Sequence, residues 1–156
     1  MDDTNLLDDL CLHFINERNM PPLAAKIYSL LILSKTESLT FDKIIERTGA
    51  CKSSVSNQLN FLIEEGRVDF FHKNEKRKRY FKTKRDYLSK TLELHQEKIQ
   101  SEIEVVTKVI QHKSNRDFDK ELVDIFKTHL VNESKNISKT IKSLEQKRFN
   151  LEHHEK

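Results

Sequence analysis

Apolar residues recur every three or four positions along most of this chain, the spacing that places them on one face of an α-helix. The pattern predicts a helix over residues 4–18 and another over 23–34, with Pro21 and Pro22 marking the break between them. The second helix is apolar almost all round, so we expect it to form the buried centre of a domain. Two much longer helices are predicted towards the other end, over residues 85–113 and 117–151. The break between them falls at residues 113–116, with Asn115 or Asp117 as the next N-cap.

The pattern changes between these helix pairs. A short helix is expected after the N-cap residue Thr40, and it ends at Gly49, where a left-handed conformation stops a helix. A second helix runs from Lys52 to Gly66, and two short apolar runs then read as strands joined by a basic loop. Helix, turn, helix and hairpin is the order of a winged helix-turn-helix, so the predicted fold class is mainly α with a small β-hairpin wing. The hairpin comprises Val68–His72, Lys73–Arg79 and Tyr80–Thr83.

The second of the two short helices has two distinct faces. One face carries an apolar stripe from Val55 to Ile63, and the other carries short polar side chains suited to reading base edges in a DNA major groove. Serines in a first turn also cap helices by accepting hydrogen bonds from free backbone N–H groups, which is the alternative interpretation. The candidate base-contacting residues are Ser53, Ser54, Ser56, Asn57 and Asn60.

Positive charge is concentrated beside this helix. Between His72 and Arg85 there are eight Lys or Arg and one acid, Glu75, a net charge of +7, whereas the whole chain carries only +3. The rest of the chain therefore sums to −4, and the focused charge is typical of phosphate binding. The candidate phosphate or minor-groove contacts are Lys52, Lys73, Lys76, Arg77, Lys78 and Arg79.

Between residues 20 and 90 the chain contains the segments Ala25–Ser34, Leu39–Ile44, Gly49–Ser56, Leu59–Leu62 and Lys84–Tyr87. Together they resemble the MarR-type winged-helix transcriptional regulators, and among these the GbsR-like branch. Cys51 stands where that family usually has Ser, and Ser53 where Gly is common. The resemblance implies a dimeric DNA-binding regulator. It also implies a possible effector site between the DNA-binding lobe and the dimerisation helices, although the sequence indicates no particular ligand.

The long C-terminal helices have narrow apolar stripes spaced close to a heptad repeat. A small winged domain cannot bury two such helices, so a second copy of the chain is the expected partner. An antiparallel hairpin inside one subunit is the alternative, and both arrangements can hold at once. We therefore predict three parts: residues 1–20 as an N-terminal helix for dimer or scaffold contact, residues 21–87 as the DNA-binding domain, and residues 88–156 for dimerisation.

Composition and the absence of known motifs limit the classes of function that the sequence supports. The chain contains two glycines in all and no nucleotide-binding, serine-hydrolase or zinc-ligand motif, so we expect neither an enzyme, nor a cofactor, nor a metal. No long apolar run predicts a membrane span, and Cys11 and Cys51 suit a reducing cytoplasm. The sequence thus favours a homodimeric, repressor-like regulator that binds double-stranded DNA. The alternative is a winged helix used for protein–protein contact.

Overall fold

The structure is a computed structural model that describes residues 3–73, 77–112 and 118–154. The chain forms two compact units, Met1–Lys84 and Arg85–Lys156. The fold is mainly helical with a small antiparallel sheet, as the sequence predicted, although the sheet has three strands rather than the two of the predicted hairpin. The first unit contains α1 (Asp3–Arg18), α2 (Pro22–Ile32), β1 (Leu39–Thr40), α3 (Phe41–Thr48), α4 (Lys52–Glu64), β2 (Val68–His72) and β3 (Arg79–Thr83).

Helix α2 is the centre of the first unit, as its apolar sequence predicted. Ala24, Ala25 and Ile27 are fully buried, and α2 contacts α1, α3, α4 and β3. One part of the prediction is wrong, because α2 ends at Ile32 rather than residue 34, and Ile32 itself is 42% exposed. The helix therefore leaves one large apolar side chain partly exposed at its C-terminal end.

The turns that position α3 and α4 follow the predicted chemistry. The Thr40 hydroxyl accepts a hydrogen bond from the backbone N–H of Lys43 at 3.2 Å and so caps α3. Gly49 ends α3 at φ 67°, and Gly66 follows α4 at φ 69°, both in the left-handed region that glycine adopts without a steric penalty. Ile44 is fully buried, whereas Ile45, expected to point inward, is only half-buried.

The wing hairpin forms as predicted, but it is part of a larger sheet. Strand β3 lies between β1 and β2, and both pairings are antiparallel. The short strand β1 was not predicted, because two residues are too few to show an alternating pattern and their partner lies forty positions along the chain. Leu39 pairs with Phe81, and both side chains are buried, so this pairing fixes the wing to the rest of the unit.

The second unit is an antiparallel pair of long helices, α5 (Tyr87–His112) and α6 (Phe118–His154). The predicted break at 113–116, with Asn115 or Asp117 as its cap, lies outside the described residues. Ile99, Leu130 and Ile137 form the small buried core, and Leu92, Ile103, Val106 and Ile141 pack against it. The antiparallel hairpin that the sequence left as an alternative is therefore present within one chain.

A polar layer adjoins this core. The Gln96 side-chain amide donates to the Ser134 carbonyl oxygen at 3.2 Å, and it also contacts the hydroxyls of Ser134 and Ser138. His95 lies 3.2 Å from the Glu133 carboxylate, which is also 3.6 Å from His129. These contacts join α5 to α6 at one register.

Candidate nucleic-acid interface

The outer face of α4 carries a stripe of exposed polar side chains. Ser53, Asn57 and Asn60 are spaced at i, i+4 and i+7, so they share one side of the helix and are all exposed. Val55, Leu59 and Leu62 hold the opposite side, because their side chains are at most 2% exposed. Burial of this apolar stripe fixes which polar groups point outward.

The other predicted residues of α4 differ in how exposed they are. Lys52 is exposed and is the first residue of α4, at the end of the helix where backbone N–H groups have no partner within the helix. Ser54 and Ser56 are half-buried, so their hydroxyls lie at the margin of the stripe rather than at its centre. The structure thus brings Lys52, Ser53, Asn57 and Asn60 together at the surface.

Cys51 occupies the N-cap of α4, and its side chain makes no capping hydrogen bond to the backbone. Its sulfur instead lies 3.3 Å from the Ser53 hydroxyl oxygen and 3.0 Å from that of Ser54. Hydrogen bonds from the Ser53 and then the Ser54 hydroxyl stabilise a thiolate, which lowers the pKa of Cys51 from 9.0 to about 7. The two serines therefore act on this thiol, a relationship that sequence reasoning did not identify.

One face of the wing is an aromatic layer covered by lysines. Phe71 and Tyr80 are cross-strand partners whose rings stack with centroids 5.7 Å apart. The Lys73 ammonium lies 4.8 Å from the Tyr80 ring centroid, and the Lys82 ammonium lies 5.2 Å from that of Phe71. Lys82 also forms an ion pair with Glu37 at 3.2 Å, so part of its charge is compensated within the unit.

The other face of the wing packs inward at Phe81, whereas Phe70 on the same face is 45% exposed. Phe81 is 1% exposed, and the Phe70 and Phe41 rings lie 6.3 and 6.4 Å from its ring. The Arg79 guanidinium lies over Phe41 at 5.1 Å and over Phe81 at 5.7 Å, yet the residue remains exposed overall. Stacking on two rings holds Arg79 in one orientation, because a planar guanidinium packs well on aromatic faces.

The remaining predicted wing cations lie at the hairpin tip. Arg77 and Lys78 are exposed, as are Lys73 and Arg79 at the ends of the strands. Lys76 lies outside the described residues. Four described cations therefore surround the tip of one hairpin in the same compact unit as the polar stripe of α4.

Arg67 is a buried basic residue, and the sequence pattern did not distinguish it from the surface cations. It is 9% exposed, and its guanidinium lies 5.6 Å from the centre of the Tyr28 ring. Its carbonyl oxygen accepts from the backbone N–H of Lys84 at 2.9 Å, just beyond the end of β3. Arg67 therefore serves the packing between α2 and the hairpin rather than the surface charge.

Comparison with solved structures gives a likeness in fold. The chain resembles a solved crystal structure described as a transcriptional regulator, with a TM-score of 0.58 and 12% sequence identity, over 94% of this chain and 99% of that one. At this identity the likeness establishes the fold alone. No protein-family model matches the sequence, and no curated protein matches it either.

Two further findings concern membrane spans and metal sites. None of the described helices combines the length and apolar character needed to cross a bilayer. Across residues 3–73, 77–112 and 118–154, no three His, Cys, Asp or Glu side chains are arranged to hold a metal ion.

Proposed function

We propose that this protein is a homodimeric, sequence-specific DNA-binding transcriptional regulator of the MarR type, acting in the cytoplasm as a repressor. The observation that carries the proposal is the exposed stripe of Ser53, Asn57 and Asn60 on α4, in the same unit as the cationic hairpin. The stripe would enter the major groove, and the wing would lie on the backbone or in the adjacent minor groove. The solved regulator of similar fold supports the architecture that this requires.

The base and phosphate contacts divide by chemistry. Asn57 and Asn60 can each pair with adenine through two hydrogen bonds, and Ser53 can pair with several bases. Lys52 and the four described cations of the wing tip, Arg79 included, would contact phosphates, which position the protein without reading sequence. Ser54 and Ser56, half-buried at the edge of the stripe, would support these contacts from the side.

The second unit supports the dimer part of the proposal. The antiparallel pairing of α5 and α6 places the last turns of α5 beside the first turns of α6, and both segments expose large apolar side chains. In a monomer this cluster would expose apolar surface to water, whereas a second copy of the chain would bury it. We name this cluster the hairpin patch; it comprises Val105, Val109, Leu122, Ile125 and Phe126.

A direct test combines the mass in solution with binding to duplex DNA. We expect a dimer that binds a random duplex at low salt, with affinity falling steeply as salt rises, because bound phosphates release counterions. Selection from a random pool should then yield a pseudo-palindrome with half-sites about one helical turn apart. A dimer without affinity for duplex DNA at low salt would contradict the proposal and favour the protein-contact alternative.

Asn57→Ala is expected to change sequence preference rather than general affinity. A bidentate Asn–adenine pair contributes about 1–3 kcal/mol of discrimination, so the variant should lose roughly fivefold to a hundredfold at one operator position. Affinity for a random duplex should stay within about twofold of the parent. Selected-site sequencing of the parent and the variant measures both, and Glu64→Ala, at the exposed C-terminal end of the same helix, is the matched control. An unchanged operator would remove Asn57 from the base contacts.

The thiol of Cys51 gives a pH dependence. Its pKa is lowered to about 7, so a thiolate forms above that pH at the helix start that would face a phosphate. A phosphate repels the thiolate, so DNA binding favours the neutral thiol, and operator affinity is expected to fall as the pH rises through about 7. If only the thiol form binds, the affinity at about pH 8 should be about tenfold below its value at low pH.

Cys51→Ser separates this effect from other titrations. Serine does not ionise in this range and is also a better N-cap, so the variant should bind at least as tightly as the parent and show a flatter pH profile. Titratable groups that both proteins share cancel in the comparison. Coincident profiles for the two proteins between about pH 6 and about pH 8 would show that the thiolate does not face DNA.

A further inference from the structure

The first unit contains a half-open cavity of about 500 Å³ away from the outer stripe of α4. Leu7 on α1, with Leu30 and Leu33 at the end of α2, provides its apolar wall. Lys35, in the turn after α2, and Arg47, in the last turn of α3, place two cations on the same cavity. We propose that this cavity binds a small aliphatic carboxylate, with its hydrocarbon chain on the leucines and its carboxylate at Lys35 and Arg47.

The two cations are available to a ligand. Among the described residues, neither the Lys35 ammonium nor the Arg47 guanidinium has a hydrogen-bond or ion-pair partner. The nearest acids in sequence are engaged elsewhere, because Glu46 accepts from the Lys43 ammonium at 2.8 and 2.9 Å and Glu37 pairs with Lys82. The pKa of Glu46 is lowered mainly by that Lys43 hydrogen bond, and Arg47 makes the smallest contribution.

The rest of the lining defines the class of ligand. The described lining contains no carboxylate, so it favours a negative charge, and it contains no aromatic ring, so it favours an aliphatic over an aromatic body. The hydroxyls of Ser34 and Thr36 lie 2.9 Å apart, and that of Thr36 donates to the Ser38 carbonyl oxygen, so they hold the turn in shape. The cavity volume lies within the range of small-molecule sites in general.

The position of the cavity suggests what occupancy would do. Its walls come from α1, the end of α2 and α3, and α3 leads through the Gly49 turn into α4. A ligand held by Arg47 and Leu7 would couple α3 to α1, and it would shift DNA affinity to the extent that it prefers one arrangement of α3. This consequence rests on the proposed function, whereas carboxylate binding does not.

Calorimetric titration of the full chain, without DNA, tests the site. Octanoate is the probe, butanoate and hexanoate test the apolar wall, and octanol tests the charge. We expect affinity to rise roughly threefold or fourfold with each added CH₂ group, because each buried CH₂ adds a similar hydrophobic increment. Octanol should bind at least about tenfold more weakly than octanoate, because it lacks the charge-assisted contacts.

Charge variants locate the binding. Lys35→Gln/Arg47→Gln should lose at least about tenfold in octanoate affinity, while Arg18→Gln/Lys84→Gln, which removes the same charge from the same unit outside the cavity, should bind as the parent does. Leu7→Ser, which shortens the wall at a half-buried position, should weaken octanoate more than butanoate.

Each alternative result is distinct. No binding of octanoate at millimolar concentration overturns the proposal, and so does binding that survives in the Lys35→Gln/Arg47→Gln variant, since that would come from other apolar surfaces such as the hairpin patch. Equal binding of octanol and octanoate would also overturn it. A protein that binds octanoate in this cavity but no duplex DNA would support the site and refute the proposed function.

Discussion

Replacing Arg77 and Arg79 by alanine is expected to weaken binding to every duplex and to flatten its salt dependence. Both residues are exposed at the wing, and Arg79 is held in place by stacking on Phe41 and Phe81. Each lost phosphate contact lowers the slope of log affinity against log salt by about 0.9, so two lower it by about 1.8. Between about 50 and about 200 mM salt, the parent should therefore lose roughly tenfold more affinity than the variant.

Arg77→Lys/Arg79→Lys is the matched control, because it keeps both charges. It should retain the parent slope, since counterion release depends on charge and not on the shape of the cation. Thermal unfolding of both variants checks that loss of the Arg79 stacking has not loosened the hairpin. A double alanine variant with the parent's affinity and slope would show that the wing does not contact DNA.

The fold was largely predictable because local chemistry and hydrophobic period agree along the chain. The cap at Thr40 and the left-handed turns at Gly49 and Gly66 are set by single residue types, so the sequence located the ends of α3 and α4. The stripe from Val55 to Leu62 fixed the orientation of α4, and with it the outward position of Asn57.

What the sequence did not reveal depends on contacts between distant segments. Strand β1 forms because Leu39 and Thr40 pair with β3, and a segment of two residues is too short to show this pairing in its own sequence. Arg67 belongs to a basic chain, yet its neighbour in space is the ring of Tyr28, which only the folded packing supplies. Charge counting alone cannot separate a buried cation of this kind from a surface one.

The candidate site shows the same division. Periodicity identified the polar side of α4, but it treated five residues as equivalent, whereas Ser54 and Ser56 are half-buried. The family resemblance marked Cys51 as a departure at the N-cap, but only the geometry shows its sulfur 3.0 Å from the Ser54 hydroxyl. The cavity at Lys35 and Arg47 joins residues from three elements, so no linear motif could indicate it.

Ile125→Glu/Phe126→Glu is expected to convert the dimer into a monomer. Ile125 is 68% exposed and Phe126 is 45% exposed on the hairpin patch, so two carboxylates there leave the core around Ile99 untouched. In a dimer the same substitutions would bury four unpaired charges, which costs far more than an interface gains from these side chains. Sedimentation or light scattering measures the mass, and circular dichroism checks that the helices remain.

Operator binding should fall with the dimer. A second half-site held by the same dimer adds about 10² to 10⁴ in apparent affinity, so the monomeric variant should lose about a hundredfold or more on a palindromic operator but much less on a single half-site. Ile32→Glu, at an exposed apolar position of the first unit, is the control and should stay dimeric. If Ile125→Glu/Phe126→Glu remained a dimer, the patch would not be the interface. If it became monomeric with unchanged affinity for the palindrome, each subunit would bind alone, and the two-fold operator would no longer follow from the dimer.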